Sequence, residues 1–343
     1  MSEDTDTVAT APVGATALRV TRLGLGTAPL GGWPTLVGDD VARATIRHAY
    51  DHDVRLFDTA PLYGHGTSER RLGEVLAGVP RESFVLTTKV GRLLRRGAPL
   101  HTDAAYDGRS LFAGEHDANP VYDFSYDGAL RSLEESLERL GLDRVDAAYI
   151  HDPDDHYEAA LSGAYRALDR LRAEGVITAV GVGMNQSAML ARFAREGDFD
   201  VFLLAGRYTL LEQGALDDLL PACAERGASV VLGGVFNSGL LVDPRADSHY
   251  NYAPAPADVV DRARRIQAVC ERHGVPLPAA ALQFAGAHPA VASVLTGARA
   301  PGELEQNLAF ATVGISPDLW SELQAEGLLR HDAPLPAAGA GRA

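Results

Sequence analysis

The chain has 343 residues, enough for one large α/β barrel or two ordinary domains and too many for a small disulfide-stapled module. Acidic residues outnumber basic ones by 46 to 31, and the net charge of −15 repels phosphate-rich partners, so neither nucleic acid nor an anionic membrane is expected to bind. The two cysteines, Cys223 and Cys270, form no CxxC and no Cys/His ligand spacing, which argues against a disulfide framework or metal site and suits a reducing compartment.

Residues 1–15 lack the basic start and apolar core of a signal peptide, and no run of about 18 apolar residues exists for a membrane span. A cytoplasmic protein with a loose first segment is expected. Short apolar or β-branched runs then follow at 23–27, 54–58, 84–89, 145–150, 178–183, 201–204, 229–232 and 291–295, and they read as strands. Amphipathic helical patterns alternate with them near 40–52, 67–78, 126–140, 158–174, 186–196, 212–226, 257–273 and 302–311. Several end at a stopping glycine such as Gly141, Gly175, Gly227 or Gly274.

Eight βα repeats predict one (β/α)8 TIM barrel over residues 16–331 rather than an open doubly wound sheet. Gly24 and Gly26 offer a superficial GxG, but no helix opens directly behind them, so they read as a tight turn rather than a phosphate loop. Two long connections, 91–125 after strand three and 235–256 after strand seven, leave C-terminal strand ends. That is the face on which barrels carry their sites, and both loops read as walls or lids. The closing segment 332–343 is rich in small residues and is expected to be loose.

Four ionisable residues converge on that rim. Asp58 ends strand two in LFDTAPLYGHGTSE, Tyr63 follows in the loop, Lys89 ends strand three in VLTTKVG, and His151 ends strand four in AAYIHDPDD. A lysine and an aspartate closing apolar strands are poor core residues unless paired. Singly, each suits a structural ion pair or an incidental ring; together they suit proton transfer beside a carbonyl or alcohol carbon. A tyrosine with an ordinary pKa of ~10 is brought down by a neighbouring ammonium, so Lys89 would activate Tyr63, Asp58 would hold Lys89, and His151 would position the reacting oxygen. A hydride carrier completes such chemistry.

The box FDTAPLYGHGTSE, with TTKVG and YIHDPD, resembles the aldo-keto reductases, NAD(P)-dependent (β/α)8 oxidoreductases, over nearly the whole chain. The resemblance implies a catalytic tetrad of Asp58, Tyr63, Lys89 and His151. The strings FLLAGRYTLL and VLGGVFNSGLL, with the segment running into YIHDPDD, are most similar to the aldose 1-dehydrogenase branch, whose members act on L-fucose-like sugars and shade into pyridoxal 4-dehydrogenases. It further implies that Asn185 holds the nicotinamide carboxamide and that Tyr208 stacks on the nicotinamide, the alternative for Tyr208 being a packed loop aromatic.

Two departures stand beside these positions: Met184 replaces a common serine, and Ala205 a common glutamine. Gly233, Gly234, Val235, Phe236, Asn237, Ser238, Gly239 and Leu240 correspond to the pyrophosphate loop. LTGARAPGELEQN resembles the adenosine box, bringing Gly297, Arg299, Glu303, Gln306 and Asn307; read alone, Arg299 is a surface charge and Glu303 a first-turn acid. Glu303 in place of an arginine implies NAD preferred over NADP, with Arg299 free to swing to solvent. Trp33, after strand one, offers an apolar wall to a sugar or a core ring. The expected activity is hydride transfer between nicotinamide and C1 of an aldose or a small aldehyde; the rivals are a cofactor-binding regulatory subunit and a pyridoxal-type enzyme of the same family.

Overall fold

Alternation along the strands builds the molecule. In the computed structural model, which describes residues 9–101, 105–106, 109–251 and 253–337, eight parallel strands close into a barrel. They are β1 (Leu23–Gly26), β2 (Leu56–Asp58), β3 (Val85–Val90), β4 (Ala147–His151), β5 (Ala179–Met184), β6 (Val201–Ala205), β7 (Ser229–Gly233) and β8 (Val291–Gly297). Each pairs with its sequence neighbours, and β8 closes on β1.

A strand's side chains point alternately to its two faces. Leu56, Ala147, Tyr149, Ala179, Val201, Leu203, Val231 and Leu295 fill the barrel interior, while Phe57, Leu86, Ala148, Ile150, Val180, Val182, Phe202 and Leu204 face the surrounding helices. The interior is therefore a packed core, as barrels of this size require. Gly181 is needed there: a Cβ on it would lie 2.3 Å from the Val201 carbonyl oxygen and 2.6 Å from the Tyr149 ring.

The first segment is less loose than its composition suggests. Thr10–Pro12 pairs antiparallel with Arg19–Thr21, and Val13 and Val20 join the interior cluster, so this hairpin plugs the N-terminal end of the barrel. The boundary expected at residue 15 thus falls inside a structured turn; residues 1–8 and 338–343 of the two end segments lie outside the described residues. At the other end, Ala333 is buried and Asp332 pairs with Arg330.

The helix near 158–174 runs as Tyr157–Ala159, a π segment Ala160–Ala164 and Tyr165–Ala173. The one near 212–226 shortens to Leu219–Arg226. Two further helices, Leu277–Gly286 and Pro317–Ala325, have no counterpart in the sequence reading. Both long connections contain structure of their own: Arg92–Arg96 pairs with Ala118–Tyr122 after β3, and His249–Tyr250 with Ala253–Pro254 after β7. Among the described residues no helix is long and apolar enough to cross a membrane.

Candidate active site

The alternation that fills the barrel also selects its top layer. Asp58 shares the inner face with Leu56, Lys89 with Thr87, and His151 with Tyr149, so three strand ends deliver one polar side chain each into the mouth. Lys89 and Asp58 are almost inaccessible, and Nζ lies 2.6 Å from Asp58 Oδ1. The ammonium also donates to the Thr59 carbonyl at 2.9 Å, and Thr87 Oγ1 donates to Asp58 Oδ2 at 2.7 Å. Burial pushes the Lys89 ammonium down, but the Asp58 carboxylate opposes this through its charge and its hydrogen bond, and the Lys89 pKa stands above the ordinary value. Lys89 is therefore a fixed ammonium, balanced by the Asp58 carboxylate.

Tyr63 sits in the turn after β2, where the chain passes so close to the loop after β1 that a Cβ on Gly31 would lie 2.6 Å from the Tyr63 carbonyl carbon. Lys89 Nζ lies 4.5 Å from the ring centroid, close enough for its charge to act on the phenol. The expectation that the ammonium brings the Tyr63 pKa below 10 is corrected here. Burial pushes the phenol up to about 12, with Lys89 the main opposing influence, so Tyr63 is a neutral acid with a proton to give.

Its ring stands edge-on to His151 at 6.0 Å and tilted to Phe112 at 5.8 Å, and Trp33 meets Phe112 at 6.4 Å. Trp33 is only partly buried in this cluster, which also includes Leu62, Leu100 and Leu111. An apolar wall thus rises beside the phenol, built jointly by the loops after β1, β2 and β3.

His151 is 5 % exposed, and burial, with the charges of Arg92 and Lys89, pushes its pKa well below the ordinary value. It is a neutral imidazole. Nε2 lies 3.3 Å from Asp152 Oδ2, while Nδ1 is buried with no hydrogen-bond partner among the described residues. The proton therefore belongs on Nε2, because the Asp152 carboxylate beside it can only accept. Asp152 Oδ2 in turn accepts from Arg92 Nη2 at 2.8 Å.

The expected cofactor residues divide. Asn185 follows β5 and its Nδ2 donates to the Ala205 carbonyl at 3.0 Å, which fixes the amide at the rim. Tyr208 does not face the mouth. It is 1 % exposed, with its ring against Phe284 at 5.4 Å and His288 at 5.7 Å, so it is a packed aromatic and not a nicotinamide platform. Met184 is also in the outer core, which explains why a serine's polar side chain is absent there.

The segment Gly233 to Leu240 winds tightly at the mouth, with positive φ at Gly234, Asn237, Ser238 and Gly239. Val235 and Leu240 anchor it in the core, Phe236 is half-buried, and Gly234 and Ser238 are exposed. The turn is closed by its own hydrogen bonds, the N–H groups of Asn237, Gly239 and Leu240 donating to the carbonyls of Gly234, Phe236 and Asn237 at 2.9, 3.0 and 3.1 Å. Asn237 Nδ2 donates to the Gly206 carbonyl at 3.1 Å, and its buried Oδ1 has no partner among the described residues. Gly297 and Asn307 are tied by a 3.2 Å hydrogen bond, and Gln306 is exposed beside them.

Arg299 is paired rather than loose, although its side chain keeps 46 % of its surface accessible. Its Nη2 lies 2.8 Å from Glu303 Oε1, and its backbone N–H donates to Oε2 at 2.8 Å. Against a burial penalty that raises it, these hydrogen bonds hold the Glu303 carboxyl below the usual range.

Several contributors escaped the sequence. Ser68 Oγ donates to Thr27 Oγ1 at 2.6 Å, and Glu69, with no exposure, accepts from Arg139 Nε at 2.5 Å and Thr88 Oγ1 at 2.9 Å. The end of the TSE string therefore rivets the helix Thr67–Leu76 to β1, β3 and the helix Tyr126–Leu140. His65 Nδ1 donates to the Ala118 carbonyl at 2.7 Å, Nε2 accepts from Ser110 Oγ at 3.1 Å, and the ring stacks on His116 at 3.9 Å, tying the post-β3 loop to the Tyr63 turn. A histidine inside the box was the available signal. Among the described residues no group of three or more His, Cys, Asp or Glu is arranged to hold a metal.

Comparison with known proteins agrees with this geometry. A model of the Aldo/keto reductase family matches residues 22–326. D-threo-aldose 1-dehydrogenase of Pseudomonas sp is 45 % identical over 318 residues, covering 92 % of this chain and 96 % of that protein. Pyridoxal 4-dehydrogenase of Microbacterium luteolum is 40 % identical over 334 residues, covering 92 % and 97 %. Among solved structures, the holo form of an aldo-keto reductase from Bacillus halodurans superposes with a TM-score of 0.74 at 23 % identity over 96 % of this chain and 98 % of that one, a likeness of fold.

Proposed function

The chain belongs to the aldo/keto reductase family and is an oxidoreductase, and from that premise we propose that it oxidises C1 of an L-fucose-like aldose to the lactone, or runs the reverse on small aldehydes, with NAD preferred to NADP. The observation that carries this reading is the buried Lys89–Asp58 pair set against a neutral Tyr63 and a neutral His151 at one barrel mouth. A nicotinamide dinucleotide supplies the hydride donor or acceptor when bound.

The residues fit such a group. The tight turn of 233–240, with Gly234 and Ser238 exposed at the mouth, lets a pyrophosphate approach its backbone closely, Asn185 and the Asn237 Oδ1, which has no partner among the described residues, offer polar contacts at the rim, and Gly297, Arg299, Glu303, Gln306 and Asn307 would border its adenosine end. In reduction Tyr63 gives its proton to the forming alkoxide, and the phenolate left behind faces the Lys89 ammonium. In oxidation Tyr63 acts from its deprotonated form, populated as pH rises: the phenolate, facing the Lys89 ammonium, takes the proton from the C1 hydroxyl. His151 donates Nε2–H to the reacting oxygen throughout, and Asp58 keeps Lys89 charged and in place. The wall of Trp33, Phe112 and Leu62 excludes water from the exchange.

NAD is favoured because a 2′-phosphate would meet the Glu303 carboxylate, while the guanidinium that suits a phosphate is already committed to that carboxylate. Nicotinamide absorbance with both cofactors and a panel of L-fucose, D-arabinose, L-galactose, pyridoxal and simple aldehydes tests the assignment. Turnover of the sugars supports it. Turnover of pyridoxal alone moves the substrate to the pyridoxal branch, and none with any compound rejects an oxidoreductase acting on this class.

A further inference from the structure

Directly after His151, the chain turns through a left-handed residue. Asp152 has φ 44, a conformation an aspartate tolerates better than most side chains, and its backbone N–H is held by the Gly183 carbonyl at 2.9 Å. The turn throws the carboxylate back over the barrel mouth, where Oδ2 meets both Arg92 Nη2 at 2.8 Å and His151 Nε2 at 3.3 Å. Arg92 is 3 % exposed, and its guanidinium lies 4.8 Å above the Tyr122 ring. The Asp152 side chain keeps 26 % of its surface accessible. A buried arginine thus fixes an accessible carboxylate beside the one N–H that the reacting oxygen needs.

We propose that Asp152, anchored by Arg92, selects substrates carrying a hydroxyl on the carbon next to the reacting one. The proposal rests on the reading that His151 Nε2 faces the reacting oxygen. When that oxygen takes the Nε2–H, Asp152 Oδ2 gives up its imidazole contact and accepts instead from the neighbouring hydroxyl. Oxygens on adjacent carbons of a sugar are spaced much like Nε2 and Oδ2 here, so one diol-like edge satisfies both groups. An aldehyde without that hydroxyl leaves the carboxylate facing an apolar chain and loses its hydration for nothing. Arg92 acts through Asp152 and is a positioning residue.

The test compares glyceraldehyde with propanal, which differ by the hydroxyls, in NADH-dependent reduction by the parent protein and by Asp152→Asn. Asparagine keeps an acceptor for Arg92 but loses the charge. Glyceraldehyde kcat/KM is expected to fall about 10- to 100-fold, mainly through KM, the loss of one hydrogen bond to a charged acceptor. The fall for propanal is expected to be at least about tenfold smaller. An equal loss on both compounds, or none on glyceraldehyde, overturns the proposal. If Asp152→Asn does not fold, the pair Arg92→Met and Asp152→Leu, which leaves no unpaired buried charge, takes its place with the same expected contrast.

If the parent protein reduces neither compound, the small-aldehyde part of the proposed function fails, and Asp152 is judged by calorimetric binding of L-fucose to the full chain. Weaker binding in Asp152→Asn supports the proposal, and equal or undetectable binding in both proteins rejects it.

Discussion

Removing one member of the Lys89–Asp58 pair strands the other in a barrel that admits almost no water. Lys89→Met leaves Asp58 with Thr87 as its hydrogen-bond partner, and Asp58→Asn leaves the ammonium with neutral acceptors alone, the new amide oxygen and the Thr59 carbonyl. Breaking one side of a buried ion pair costs about 3–5 kcal/mol, against about 0–1 kcal/mol for an exposed pair, and the side chains here are 1 % and 3 % accessible. Each single variant is therefore expected to lose about 3–5 kcal/mol, and the double variant less than the sum by about 1–3 kcal/mol, because neither partner is then left behind.

Denaturant unfolding of the four proteins measures this cycle. The pH dependence adds a second reading of the same pair. The folded Lys89 pKa is raised above its ordinary 10.5, so the stability it contributes is present below that value and lost as pH rises through the higher folded one. The unfolding midpoint of the parent is expected to fall above about pH 10.5 more steeply than that of Lys89→Met. Single variants within about 1 kcal/mol of the parent, or strict additivity, would refute the picture of a dry, mutually dependent pair.

Tyr63→Phe is expected to lose about 10²- to 10⁴-fold in kcat while its fluorescence titration with NADH is little changed, because only the hydroxyl goes. In Lys89→Met the alkaline rise of sugar oxidation is expected to move to higher pH, since Lys89 is the main influence opposing the upward push on Tyr63; an unmoved profile would leave Lys89 a purely structural role. Glu303→Gln is expected to raise the NADP to NAD ratio of kcat/KM by freeing Arg299, and an unchanged ratio would remove Glu303 from cofactor choice. Burial, followed by the stacked His116 and against the Ala118 hydrogen bond, brings the His65 pKa down to about 4. Its neutral form stabilises the fold fully above pH 6.5, and that contribution is lost as pH falls towards about 4, so His65→Gln is expected to flatten melting temperature against pH across that window.

How much of this was legible depends on what a signal measures. Strand alternation and the convergence of Asp58, Lys89 and His151 were readable, because period two and position at a strand end determine which face a side chain takes. The helix Leu277–Gly286 was hidden: it is buried on nearly every side, so LPAAALQFAG carries no amphipathic period. The hairpin closing the barrel floor has strands of only three residues, too short for alternation to register. Tyr208 was misplaced because a position after a strand does not determine which way a ring turns, and Phe284 and His288 enclose it. The Arg299 guanidinium, pictured in solvent, is held by a carboxylate one helical turn away. Asp152 is adjacent to His151 in sequence, yet only the left-handed turn brings its oxygen back to the imidazole.

The central claim is that hydride leaves C1 of an aldose while Tyr63 handles only the proton. L-fucose deuterated at C1, incubated with NAD and the protein, followed by mass spectrometry of the reduced cofactor, examines it directly. The cofactor is predicted to gain one deuterium per turnover, with none released to water. Deuterium appearing in solvent, or reduced cofactor without the label, would contradict direct transfer from C1.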